Sequence, residues 1–512
     1  MRGVRAVAAV TLIAACSCGD STPAADASLQ VDAAEPLAFT AGPTFTLGPN
    51  PNGPLTGELE VSTNRPARLT IAIADDDRSL VIELPALALA HDVPVLGFRS
   101  GRMHAVTITA TDQAGQTVMA TPFDVMTPML PPGFPAFLAS RIGSAQIEPG
   151  VTFTALLSYL LAVDDEGEVV WFIDVGRETT DVRRLPNGNM LFGNRDHSGG
   201  AEVDMFGNLV RRWHAAKLSS GDPDSTPVAI DSMHHELAML PSGDLLTLST
   251  ERRTYDGYRT SEVDPTPGSA QDLIGDVVVV FQPDGTIVTE WSLLDRLDPQ
   301  RVGYGSFSSF WSEHYPPPNV LDWSHGNAVV IDPSDGGAII SLRHQDAIVK
   351  LDASGALLWI LGSHDNWSTA YQPLLLTPVG VGPFAWPFHQ HAPKLLGNGH
   401  LLVFDNGNVR VSPPAAIDGT GQYSRAVEYA IDPATKQVEQ VWEFDADQAI
   451  FAAATGDVDV GSVTGNVIIT FGVTGRILEV THDAAATVVF ELSSPVPLYR
   501  SERLPLYPAA AP

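Results

Sequence analysis

Cysteine is nearly absent: the 512-residue chain holds two, Cys16 and Cys18, both near its N-terminus. A disulfide framework tying distant strands together is excluded, so the core alone must hold the fold. Basic residues are scarce as well. Lys and Arg number 29 against 60 Asp and Glu, giving a formal net charge of −31. A surface so acidic repels polyanions, and no nucleic-acid partner is expected. An anionic small molecule would need a local island of Arg and His. Long apolar runs are missing too: the stretch Ala6 to Ala15 is too short to cross a bilayer as a helix.

That short stretch has another meaning. Arg2 and Arg5 precede it as a basic n-region, and Ile13-Ala14-Ala15-Cys16 follows as a bacterial lipobox. Residues 1–15 are therefore expected to be a lipoprotein signal peptide, with Cys16 lipidated and the chain exported to the periplasmic side of a membrane. Losing Arg2 and Arg5 takes the charge from −31 to about −33. Residues 17–35 are small, polar and acidic, the composition of a tether continuing from Cys16.

The rest is globular, 44% apolar and only 17% charged, with 44 Gly and 40 Pro scattered as turn punctuation. Short apolar runs between frequent turns point to an all-β protein. Over residues 36–130, strands such as LTGELEVST, ARLTIAIAD and RSLVIEL alternate apolar with polar residues, which predicts a small immunoglobulin- or fibronectin-like β-sandwich. The Pro-rich run Met129–Pro135 marks the boundary.

From 131 to 512 the sequence repeats itself. An outer hairpin of the form apolar-Asp-x-x-Gly-apolar ends in Trp171, Trp213, Trp291, Trp359 and Trp442, with Phe490 in the same slot of a further copy. An inner hairpin turns on Pro-x-Gly-like signals, as in RLPNGNMLF, MLPSGDLLTL and LLGNGHLLVF, while GVTFTALLSYLLAV is expected to supply the first inner hairpin without that signal. Inner and outer hairpins alternate to give six four-stranded units, which must stack radially to cover both faces. A six-bladed β-propeller is predicted, with the Trp and Phe side chains packed between blades.

Counting eight residues back from the inner-turn glycines gives His235 from Gly243, His391 from Gly399, Asp457 from Gly465 and Thr180 from Gly188. In the fourth blade the turn is longer and the matching residue is His325. Equivalent positions in a propeller converge on its axis, so His235, His325 and His391 are expected to face one another across one mouth of the channel. Asn327 follows His325 by two and should share its strand face. Arg343 and His344 end the second strand of that hairpin, and a guanidinium fork beside three imidazoles suits a tetrahedral oxyanion.

The strings HHE (His234–Glu236), DWSHGN (Asp322–Asn327), SLRHQ (Ser341–Gln345) and QHAP (Gln390–Pro393), in this order, resemble the bacterial aryl-sulfate sulfotransferases, as does the closing segment PLYRSERLPL. The resemblance implies transfer of a sulfuryl group from an aryl sulfate to a phenol by a ping-pong route through a sulfated histidine. It implies His391 as nucleophile, His235, His325, Asn327 and Arg343 at the sulfuryl oxygens, and Tyr499 at the aryl pocket. No cofactor is implied. No Gly-rich phosphate cradle follows any strand, so adenosine phosphosulfate is not expected as donor. Three histidines also suit zinc, but the neighbouring Arg343 would repel a cation, and no metal is expected. A quinone-dependent propeller dehydrogenase or a non-catalytic binding scaffold are the other readings of the fold.

Lipidation gives a direct test. Cys16→Ser should move the protein from the membrane fraction to the soluble exported fraction; unchanged fractionation would count against the lipobox.

Overall fold

The computed structural model describes residues 35–317, 319–418 and 420–508, so the leader, Cys16, Cys18 and nearly all of the tether lie outside the described residues. Six antiparallel sheets of four principal strands follow one another from residue 151 onward. Their inner strands are near-continuous apolar runs, such as Val467–Phe471 and Ala338–Leu342, buried at every position. Such runs are what a strand covered on both faces requires. Outer strands such as Gln437–Phe444 alternate buried with exposed residues because only one face meets a neighbour. The inner turns close as their sequence demands: Gly188, Gly243 and Gly399 take φ of 93°, 87° and 85°, a left-handed conformation that favours glycine. The architecture is the predicted six-bladed propeller.

The aromatic slots join the blades. Trp171 Nε1 donates to the Met205 carbonyl at 3.0 Å, Trp213 Nε1 to that of Pro283 at 2.9 Å, and Trp442 Nε1 to that of Asp483 at 2.9 Å. Each acceptor lies in the outer turn of the following blade, so one side chain both buries apolar surface and satisfies a carbonyl across the seam. Phe490, which has no such donor, packs instead among Leu161, Val163 and Phe172 of the first blade.

Closure differs from the expectation. GVTFTALLSYLLAV forms strands Val151–Leu156 and Tyr159–Val163, but these are the second and third strands of the first blade. The innermost strand of that blade is Ser501–Leu504, paired antiparallel to Val151–Leu156. The ring is also latched at its rim, where Leu138–Arg141 adds a fifth strand to the last blade beside Val488–Ser493. A first blade that borrows its inner strand needs no inner-turn signal of its own.

Ahead of the propeller, six strands between Phe39 and Met126 form one hydrogen-bonded sheet where two stacked sheets were expected. The reason is the length of Gly57–Ala74. This 18-residue strand pairs with Phe39–Leu47 at its start and with Met103–Asp112 at its end, and register shifts between Ser62 and Leu69 mark the bend. Leu59, Leu69, Ile71, Val106 and Ile108 fill its core. Against the first blade it presents Arg99, whose Nε and Nη2 donate to Asp164 at 2.9 and 2.7 Å.

The seams predict a graded response. Trp213→Ala should destabilise the protein by about 3–5 kcal/mol through lost burial and the cavity left behind. Trp213→Phe, which mainly orphans the Pro283 carbonyl, should cost about 1–2 kcal/mol. Urea midpoints of the two variants check the order.

Candidate active site

Four inner strands carry a local flaw at one mouth of the channel. Register shifts fall between Thr179 and Val182, His234 and Leu237, Gly326 and Ala328, and His391 and Lys394. An extra residue bends a strand and re-aims its side chains. The backbone shows the effect: His235 takes φ of 58°, His325 of 46° and Ala392 of 46°. Non-glycine residues hold such conformations, at a cost of about 1–3 kcal/mol each, only where their surroundings over-determine them. The last blade has no shift at this point, and Asp457 pairs regularly with Thr470. Asp457 therefore leaves the histidine group and lines a second cavity with Arg183, Glu236 and Arg500, where burial pushes its carboxyl up to about 7.

Together the shifted positions open onto a cavity of about 890 Å³. His235, His325, Arg343, His391 and Tyr499 all line it, as expected from the sequence. Leu157, Phe310 and Val473 line it too and remain 54%, 44% and 39% exposed, which gives the cavity an apolar rim. Deeper in, the imidazoles share the cavity with the guanidinium of Arg343. Burial, followed by the Arg343 charge, holds the imidazoles of His391 and His325 well below 6.5, so both are neutral at pH 7.

Second partners fix how each ring presents itself. Asn406 Nδ2 donates to the carbonyls of Ala452 at 2.7 Å and Thr455 at 2.9 Å, so its Oδ1 is the atom that meets His391 Nδ1 at 2.6 Å. An amide oxygen only accepts, and the His389 carbonyl at 3.2 Å does likewise, so Nδ1 carries the proton. The lone pair is left on His391 Nε2. His325 Nδ1 meets Asp322 Oδ2 at 2.6 Å, which directs its other nitrogen outward. His344 Nδ1 donates to the Asp322 carbonyl at 2.8 Å, and its Nε2 accepts from Arg343 Nη1 at 2.9 Å. A further Arg343 bond goes from Nη2 to Ala453 O at 3.2 Å. Of the five N–H bonds of a guanidinium, three stay free of these contacts.

Asn327 is not where the resemblance placed it. It is fully buried, and its Nδ2 donates to the Gln390 carbonyl at 2.7 Å. The register shift between Gly326 and Ala328 breaks the alternation that would have put it beside His325. Asn327 instead clamps the backbone one residue before His391. His389 is also outside the cavity, with Nδ1 on Asp346 Oδ1 at 2.8 Å. Three participants carry no signal in the repeat. His197 and Phe310 come from a turn and from a short helical segment between blades, and Asn406 follows the strand Leu401–Asp405.

Asp322, His325 and His344 bring three ligand-type atoms within 4.8 Å of one another. His325 Nδ1 is already bonded to Asp322 Oδ2, and the His344 nitrogens are taken by the Asp322 backbone carbonyl and by Arg343, so the trio suits a fixed hydrogen-bond network better than a cation.

Residues 129–493 match the arylsulfotransferase family over most of the propeller. The chain belongs to that family. It is 26% identical over 337 residues to the arylsulfate sulfotransferase of Escherichia coli O6:H1, covering 56% of this chain and 52% of that one. It is 25% identical over the same length to the arylsulfate sulfotransferase of Lelliottia amnigena, with the same coverage. The arylsulfotransferase-family chain thus spans about half the length of the curated relatives it matches. Among solved structures, virginiamycin B lyase from Staphylococcus aureus is similar at 9% identity and a TM-score of 0.32, over 78% of this chain and 93% of that one.

His197 yields a pH prediction. Burial lowers its imidazole to about 4, against about 6.5 in an unfolded chain. Above 6.5 neither state binds the proton; below it only the unfolded state does, so stability falls as pH drops from 6.5 toward 4. In His197→Asn that acid-side slope should lessen by about one proton, read from urea midpoints across this range.

Proposed function

We propose that this chain moves a sulfuryl group from an aryl sulfate to a phenol in two half-reactions, with His391 carrying the group between them. The observation that carries the reading is the fixed proton on His391 Nδ1, which leaves Nε2 as a free lone pair on a neutral, buried ring. In the first half-reaction Nε2 attacks sulfur, the bond from sulfur to the aryl oxygen breaks, and the aryl oxide leaves with a proton. In the second a phenol oxygen attacks the same sulfur, loses its proton, and frees Nε2. A covalent carrier of this kind splits one transfer into two easier ones.

Charge on the three sulfuryl oxygens is costly in a buried site, and the free N–H bonds of Arg343 face that need. The exposed rings and methyls of Phe310, Leu157 and Val473 suit an aromatic body left at the mouth. Family membership supports the same chemistry. Export and a lipid anchor at Cys16 complete the proposal, with the reaction outside the cytoplasm.

The test is incubation with 4-nitrophenyl sulfate and phenol, without nucleotide. Donor alone should add one sulfuryl mass to the peptide bearing His391, and phenol should remove it. His391→Asn should abolish both steps, whereas His389→Asn, outside the cavity, should keep substantial activity. A label on Ser, Tyr or His325, or turnover without any label, would overturn the mechanism.

A further inference from the structure

Behind His235 lies a line of buried groups that the transfer itself does not use. His235 Nδ1 meets His234 Nδ1 at 2.8 Å. Two imidazole nitrogens at that distance share one proton. On the far side of His234, Nε2 lies 3.4 Å from Asp276 Oδ1, outside hydrogen-bond geometry, and neither atom has a hydrogen-bond partner among the described residues. The other Asp276 oxygen is committed: Ser324 Oγ and the Gly326 amide both donate to Oδ2 at 2.5 Å. A Cβ on Gly326 would come within 2.7 Å of that carboxyl, so glycine lets the backbone dock there.

We propose that Asp276, His234 and His235 form a proton relay, in which Asp276 stores the proton that the leaving aryl oxide takes and the incoming phenol returns. This rests on the transfer reading above. When the aryl oxide leaves, it takes the proton on His235 Nε2. His235 Nδ1 then takes the proton of His234 Nδ1, and His234 Nε2 takes the one on Asp276. One proton has passed from carboxyl to aryl oxide, and every imidazole is neutral before and after. The phenol of the second half-reaction reverses each step, so the cycle closes without an outside acid.

The surroundings suit a relay. Facing His234 are Trp311 at 4.9 Å and His197 at 6.1 Å between ring centroids; facing His235 are His325 at 5.1 Å, His197 at 5.7 Å and Tyr499 at 6.4 Å. Facing Asp276 are Ser324, the Gly326 amide and the like charge of Asp322, with no Lys or Arg in contact among the described residues. Burial and then neighbouring imidazoles hold His234 and His235 well below 6.5, while burial pushes the Asp276 carboxyl up to about 7. Below about 7 the carboxyl is protonated and His235 presents N–H to the cavity; above it His235 presents a lone pair.

Asp276→Asn keeps an acceptor for Ser324 and Gly326 but cannot release a proton. In the first half-reaction alone, with no acceptor present, the rate of oxide release from 4-nitrophenyl sulfate, whose oxide leaves unaided, should fall by less than about threefold. With phenyl sulfate, whose oxide needs the proton, it should fall by at least about thirtyfold. His234→Gln should show the same split. Nitrogen-15 NMR of the imidazoles reads the relay without turnover: in the wild type the His235 tautomer should switch near pH 7, and in Asp276→Asn it should stay fixed. Equal losses on both donors, or a His235 tautomer indifferent to pH and to Asp276→Asn, would overturn the relay. A wild-type switch without transfer from any aryl sulfate would instead remove the transfer reading and leave the switch in place.

Discussion

A single buried guanidinium holds the centre of the propeller. Arg500 lies on the axis just before the closing strand, 3% exposed, with Nη1 on Glu236 at 2.8 Å and 3.2 Å from Asp181, and Nη2 on the Asn327 carbonyl at 2.9 Å. Those partners belong to the second, third and fourth blades, so one cation ties three sheets to the segment that completes a fourth. Arg183 shares the same carboxylates and adds Glu502 at 2.9 Å. In a medium of low dielectric such a network gains little over apolar packing, but removing one partner strands the others and costs about 3–5 kcal/mol. The network also separates the two cavities. On one side are the histidines, and on the other Asp457 and the apolar walls of the inner strands.

That partition explains how a chain of net charge −31 keeps a site fit for an anion. Asp181 and Glu236 face Arg183 and Arg500, whereas the other cavity holds neutral imidazoles and Arg343. Because Tyr499 precedes Arg500, anchoring the guanidinium also sets the ring that walls the cavity, and its O–H reaches the His235 carbonyl at 3.4 Å. Position and charge at the site follow from the same few residues.

Much of this was legible in the residues. The aromatic slots recur once per blade and the inner-turn glycines in every blade but the first; a count of eight from those glycines found His235 and His391, and the matching place across a longer turn found His325, because the propeller axis makes equivalent positions into neighbours. The count failed where local geometry departs from the repeat. Asn327 was misplaced because alternation holds only in an unbroken strand, and Asp457 shares the histidines' count but not their place because its strand lacks the shift that re-aims them. Asn406, His197 and Phe310 act from loops, where no period exists to reveal them. The borrowed strand Ser501–Leu504 carries no turn signal, since it pairs with a partner far away along the chain.

That distance bears on how the molecule is made. The Thr154 hydroxyl donates to the Arg500 carbonyl across 346 residues, so the first blade stays open-edged until nearly every other blade has emerged from the ribosome. Throughout that interval Val151–Leu156 offers an unpaired row of amides and carbonyls, a template for any extended chain nearby. A pairing that spans nearly the whole fold is slow to find. The design exchanges early folding for a closed ring, and a chain broken off before residue 500 would carry an adhesive edge where the intact protein has none.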